Sequence, residues 1–163
     1  MTEVATIAPV RKTLSVNCSP ERAFEVFTAE VASWWPTTTH SIHHEDVTDV
    51  VLEPRVDGEL YELAEGGKRA HWGRVTAWEP PRRLVITWAN ASQASDPSAY
   101  SRVTFEIEEY EDMVRLTVTH DELVAGSGMA IGISKGWPVV LASLKSLLET
   151  GQGLDVFAKP KSA

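Results

Sequence analysis

The chain has a single cysteine, Cys18, so it can close no intrachain disulfide and build no thiolate metal cluster. No reactive signature surrounds Cys18, and it reads as a structural thiol in a reducing, cytoplasmic setting. No apolar run approaches the roughly 20 residues of a membrane span. The opening residues, MTEVATIAPVRKTL, lack the basic-then-apolar pattern of a secretory signal. Basic side chains are the minority, 15 against 23 acidic, for a net charge of −8. That balance removes nucleic acid and anionic membrane from the expected partners. Missing too are HExxH and GK[ST], and the glycines of GSGMAIG are misplaced for GxGxxG. No cofactor is expected, and that glycine-rich run reads as a flexible gate. What the chain does have is six tryptophans, an unusual load for 163 residues that the length assigns to one domain.

The apolar pattern changes period twice. Residues 9–17 alternate as a first strand. Ser19 then supplies an N-cap and Pro20 a first helical position, followed by an apolar face at Ala23, Phe24, Val26 and Phe27. A second short helix, AEVASWW, should stop at Pro36. From residue 47 the period is two. VTDVVLEP and ELYELAE are joined through Asp57-Gly58, Gly66-Gly67 leads to RAHWGRVTAW, and EPPRR turns into RLVITWA. After the polar stretch NASQASDPSA come YSRVTFEIEEY and MVRLTVTHDEL. There Val103, Phe105 and Ile107 share one face, as do Val114, Leu116, Val118 and His120. VAGSGMAIGISKG reads as a loop. Trp137, Leu141, Leu144 and Leu148 then form one stripe of a C-terminal helix, with Pro138 in its first turn or kinking it.

Hairpin-linked strands with helices at the chain ends predict an α+β fold. Its expected form is a curved antiparallel sheet of about six to seven strands around one long C-terminal helix, with two short helices after the first strand. A flexible N-terminus (1–8), one domain (9–153) and a C-terminal tail (154–163) are expected. A helix laid over one curved sheet leaves a space, and ligand pockets of about 300–1,000 Å³ form in such places.

The ordered set VVLEPRVDGELYE, WGRVTAWEPPRRLVITW, LTVTHDEL and GWPVVLASL resembles the START-like, helix-grip superfamily called SRPBCC. Within it, the chain resembles the branch named after the activator of the heat-shock-protein-90 ATPase, over about residues 10–150. Asp57-Gly58 stands where that family usually has Gly-Gly. The resemblance implies a deep cavity under the C-terminal helix, with WWP and the strand-end loops guarding its mouth. Eukaryotic chaperone activators carry a separate amino-terminal domain with no counterpart here, so that activity is not expected.

The segment WWPTTTHSIHHED gathers His40, His43 and His44 with Glu45 and Asp46. Zinc motifs space their ligands differently, and adjacent histidines diverge, so no metal site is expected. His40, which the resemblance sets at the cavity entrance, either bonds a ligand or caps a loop. His43 to Asp46 are expected to face water, and one of Trp34 and Trp35 (Trp35 in the expected set) to face the cavity. His120, in phase with three apolar residues, is either a satisfied core histidine or a general base, and is the leading catalytic candidate. Trp88 and Trp137 should be cavity wall. In RAHWGRVTAW the phase is ambiguous. If Trp72 and Arg74 both face inward, Arg74 could pair with an acidic ligand, whereas a bulge at Gly73 would turn it away. Tyr61, Phe105, Val118 and Leu141 complete the expected ligand-binding set. Plain core packing claims two or three of the six tryptophans.

The expected function is binding of a small hydrophobic or aromatic molecule. The alternatives are a cavity enzyme of cyclase, dehydratase or hydrolase type and a stress-related or co-chaperone-like interaction. A homodimer is a further partner to test. Whether the chain is an enzyme is left open by its sequence.

Overall fold

The structure, a computed structural model, describes residues 8–89, 100–123 and 129–154, with backbone alone for 129–132. Strand β1 (Val10–Val16) leads into helices α1 (Pro20–Ala29) and α2 (Val31–Trp34). Ser19 caps α1, its hydroxyl accepting from the Arg22 N–H at 3.1 Å, and Pro20 opens the first turn. Six further strands follow: β2 (Val47–Leu52), β3 (Glu59–Ala64), β4 (Lys68–Glu79), β5 (Arg83–Trp88), β6 (Ser101–Tyr110) and β7 (Met113–Asp121). Helix α3 (Met129–Thr150) closes the described chain. The strands form one seven-stranded antiparallel sheet in the order β1-β7-β6-β5-β4-β3-β2. Pro80-Pro81, between β4 and β5, is a cis peptide.

One face of the sheet meets the helices. Along β6 and β7 the alternation is regular, burying Val103, Phe105 and Ile107 on one strand and Val114, Leu116, Val118 and His120 on the other. Phe27 of α1 stacks on Phe105 with ring centroids 3.7 Å apart, and Leu141 and Leu144 of α3 are buried in the same core. Each such side chain contributes roughly 1.5–3 kcal/mol by leaving water.

Strand β4 breaks the alternation. Its register against β3 shifts between Leu60 and Tyr61, opposite Trp72, and against β5 between Val75 and Ala77. Two such irregularities bring Trp72, Val75 and Trp78 inward at every third position, Trp78 packing edge-on against Phe24 at 5.1 Å. Arg74 is thereby turned out and exposed, donating to the Asp57 carbonyl at 2.7 Å. Its inward reading is corrected by the bulge. Gly73 is required there, because a Cβ would stand 1.8 Å from the Thr87 carbonyl oxygen.

Helix α3 begins at Met129, so residues 129–136, expected as loop, are helical. Glycine disfavours a helix interior by about 1 kcal/mol relative to alanine. Ile133, however, extends the inner stripe of Trp137, Val140, Leu141 and Leu144, and packing of that face prevails. Pro138 lies inside α3 rather than in its first turn. The expected gate is thus helical from Met129, and its residues 126–128 lie outside the described residues, as do the polar stretch 90–99, the N-terminus before Ala8 and the tail beyond Leu154.

Candidate functional site

A cavity of about 320 Å³, partly open to solvent, lies between the N-terminal half of α3, Trp72 within β4, the ends of β5 and β7, and the segment 35–42. Four tryptophans line it. Trp35 has its ring centroid 5.2 Å from Trp72, 5.7 Å from Trp88 and 5.8 Å from Trp137, and Trp88 and Trp137 are 5.7 Å apart. They form a continuous wall of tilted and edge-on rings, with centroids at the spacing of favourable aromatic pairs. Ile42, Ile133 and Val140 add aliphatic surface, and Thr39, His40, Ser41 and His120 add polar atoms.

Three of those indoles spend their N–H groups on the protein. Trp35 donates to the His40 carbonyl at 2.7 Å, Trp72 to the Glu62 carboxylate at 2.6 Å, and Trp137 to His120 Nδ1 at 3.1 Å. Each bond restricts the rotation of its ring and leaves that N–H unavailable to a ligand.

His120 is fully buried. Because Nδ1 accepts from Trp137, the ring is the neutral tautomer protonated at Nε2, which donates to Ser101 Oγ at 2.5 Å. Ser101 in turn donates to the Trp88 carbonyl at 3.3 Å. Burial pushes the His120 pKa down to about 4, against a smaller opposing pull from Asp121.

Glu62 escaped sequence reasoning. It is fully buried, and its carboxylate accepts from the Ile42 N–H at 2.7 Å, the His43 N–H at 2.8 Å, His43 Nδ1 at 2.9 Å and Trp72 Nε1 at 2.6 Å. Burial raises its pKa, but these hydrogen bonds outweigh burial and hold the carboxyl below its ordinary range. The signal was present. Glu62 falls in the inward phase of Leu60 and Ala64 on β3, where an acid has no place unless it is bonded. Ser101 likewise continues the inward phase of Val103, Phe105 and Ile107 on β6, and was legible but unread.

The Glu62 carboxylate fastens the entrance segment. Pro36 O accepts from the Thr39 and His40 N–H groups, Ser41 Oγ donates to Thr37 O at 2.5 Å, and Thr39 Oγ1 lies 2.6 Å from His40 Nδ1. His43 is half-buried and turned toward Glu62, which corrects its expected exposure; His44, Glu45 and Asp46 are exposed. Among the described residues no cluster of three or more His, Cys, Asp or Glu is arranged to hold a metal ion.

Of the residues singled out in sequence, Trp35, His40, Trp72, Trp88, His120 and Trp137 meet around the cavity. Five do not. Arg74 is outside. Tyr61 alternates with Leu60 and Glu62, so it faces away from them, with the Arg69 guanidinium 3.6 Å over its ring. Phe105, Val118 and Leu141 are buried in the core and do not line the cavity. For these three, an inward phase identified burial but could not separate core from wall.

A curved antiparallel sheet gripping one long C-terminal helix, with an aromatic cavity between them, is the helix-grip form of the START-like proteins. Residues 17–149 match the family model described as Activator of Hsp90 ATPase homolog 1-like protein, and the chain belongs to that family. Among solved structures, the Aha1 dimer from Colwellia psychrerythraea is 19% identical and superposes with a TM-score of 0.70 over 90% of this chain and 100% of that one. Txn09, an anthrahydroquino-γ-pyrone synthase solved in complex with SUM, is 29% identical with a TM-score of 0.64, covering 87% of this chain and 97% of that one. DynU16, of the dynemicin biosynthetic locus, is 18% identical with a TM-score of 0.63, covering 90% of this chain and 50% of that one. The first and third likenesses are likenesses of fold. No curated protein matches the chain in sequence. No described helix is long and apolar enough to cross a membrane.

Proposed function

We propose that this protein binds a small hydrophobic or aromatic molecule in the cavity between the sheet and α3. The observation that carries this reading is the four-tryptophan wall, whose rings touch one another while three of their N–H groups are already bonded within the protein. Such a wall offers flat π surface and little hydrogen bonding. No Lys, Arg, Asp or Glu is among the described cavity-lining residues, and His120 is neutral at pH 7. Titration with naphthol-like ligands should quench tryptophan fluorescence saturably, and Trp137→Ala should weaken binding about tenfold, the size of one lost aromatic contact. Absence of saturable quenching and of any thermal shift across a broad lipophilic library would remove the proposal.

An enzyme reading has one observation in its favour, the 29% identity to a protein named as an anthrahydroquino-γ-pyrone synthase. His120 is poorly equipped as its base, because the Nδ1 lone pair is engaged by Trp137 and Nε2 holds its proton toward Ser101. The acid–base pair available at the mouth is Thr39–His40, 2.6 Å apart. Turnover of a bound aromatic substrate, lost in His40→Ala with binding retained, would favour catalysis over carriage. A homodimer rests on the Colwellia neighbour alone and is checked by sedimentation. The large exposed apolar residues stand apart in the chain, Val56 between β2 and β3, Tyr110 at the end of β6 and Leu154 after α3, which lends a broad apolar protein-docking face no support among the described residues. A cytoplasmic location accords with the lone cysteine.

A further inference from the structure

The cavity ends where its tryptophans begin. Trp35, Trp72 and Trp88 line it on one side, and the same three residues line a second void of about 10 Å³ on the other. That second void is wholly apolar in its surroundings, being bounded otherwise by residues such as Phe27, Leu52, Leu60, Ile86 and Val103. A single layer of indoles therefore separates an open cavity from the deep interior.

The layer is held. Trp72 is tied to the buried Glu62 carboxylate at 2.6 Å, and Trp35 to the His40 carbonyl at 2.7 Å. Glu62 itself is held by the two backbone N–H groups of Ile42 and His43, so the entrance segment and the wall share one anchor. Trp88 is wedged against both, its centroid 5.7 Å from Trp35 and 6.1 Å from Trp72. Swinging Trp72 away would leave a fully buried carboxylate short of one donor, which opposes opening on ligand entry.

We propose that Trp35, Trp72 and Trp88 are specificity-determining residues that form a fixed stop. They restrict the site to compact aromatic molecules of about two or three fused rings, the size suited to a cavity at the lower end of the usual ligand-pocket range. They exclude tetracyclic frameworks and long acyl chains. Glu62 is the positioning residue that holds the stop. The inference rests on the binding function proposed above and adds the ligand's size class.

The test is a size series: 2-naphthol, 2-hydroxyanthracene, 1-hydroxypyrene and palmitate, each titrated against wild type by thermal shift and tryptophan fluorescence. Wild type should bind the first two and bind 1-hydroxypyrene and palmitate at least tenfold more weakly. Trp35→Ala, which joins the two voids, should shift the ratio of 1-hydroxypyrene to 2-naphthol affinity at least tenfold toward the larger ligand. Should Trp35→Ala fail to fold by circular dichroism, Trp88→Phe gives the same reading with a smaller shift of about threefold. Glu62→Gln should relax the size limit in the same direction, which a residue of merely structural importance would not do. Equal affinity across the series, or a ratio unmoved in the folded variants, overturns the stop and leaves the binding function standing. Binding of no member at all overturns both.

Discussion

The interior has two ends built on different rules. At the closed end, Phe27 stacks on Phe105 over Leu84, Leu116 and Leu144, all essentially buried and none carrying a polar side-chain atom. At the open end the wall residues are tryptophans and a histidine, and nearly every polar atom they bring is bonded to a protein partner. The same helix runs through both, Ile133, Trp137 and Val140 over the cavity and Leu144 in solid core. The closed end is stable because it is full. The open end keeps a void because indoles locked by their N–H groups cannot collapse into it. Void and lock go together, since an unsupported apolar cavity lined by mobile side chains would shrink and recover dispersion contacts.

If that contrast holds, the largest effect of a single truncation belongs to the closed end. Phe105→Ala removes a stacked ring from a site where nothing can move in, and should cost about 4 kcal/mol in urea unfolding. It should leave the affinity of a compact aromatic ligand within about twofold, provided measurements are made where the variant is folded. A tenfold loss of binding would mean the two ends are one unit.

Glu62→Gln comes next. The amide keeps one acceptor oxygen but turns an NH₂ group toward N–H donors of Ile42, His43 or Trp72, and should cost about 3 kcal/mol as a buried charged acceptor is lost. Here, unlike at Phe105, ligand affinity should fall or change its size preference along with stability. A stability loss with unaltered binding would separate the anchor from the wall.

The two ends also differed in how far they could be read from sequence. Strands β6 and β7 pair in one unbroken register, so their inward faces, His120 included, follow from period two alone. Strand β4 does not, because its two register shifts depend on what β3 and β5 offer across the sheet. Gly73 marked the place of one, and only the close approach of the Thr87 carbonyl says which way the strand turned. Glu62 was legible by phase yet unread, since its partners come from a loop some 20 residues upstream in sequence. Helix α3 was legible from Trp137 onward, while its first turns carry glycines whose helical state is decided by tertiary packing. Fold thus followed from local pattern, and the site from contacts between segments that pattern does not join.

The smallest effect is a pH dependence confined to the open end. His120 has a folded pKa of about 4, lowered by desolvation, whereas an unfolded histidine titrates near 6.5. A group with a depressed folded pKa binds more protons when unfolded, so it destabilises the fold as pH drops below the unfolded value and has little effect well above it. Between pH 7 and pH 5 wild type should therefore lose about 2 kcal/mol through this residue. Glu59 and Glu62, both held below the ordinary carboxylate range, stay ionised across that window and do not confound it. His120→Gln, which preserves a neutral amide between Ser101 and Trp137, should be less stable than wild type at pH 7 by about 1 kcal/mol for imperfect hydrogen bonds. At pH 5 that deficit should vanish or reverse, because the variant has no imidazole to protonate on unfolding. Melting curves of both proteins at pH 7, 6 and 5 measure the difference directly. A gap of constant size at all three would mean that His120 titrates alike in both states, and that the Trp137 and Ser101 bonds do not hold it neutral.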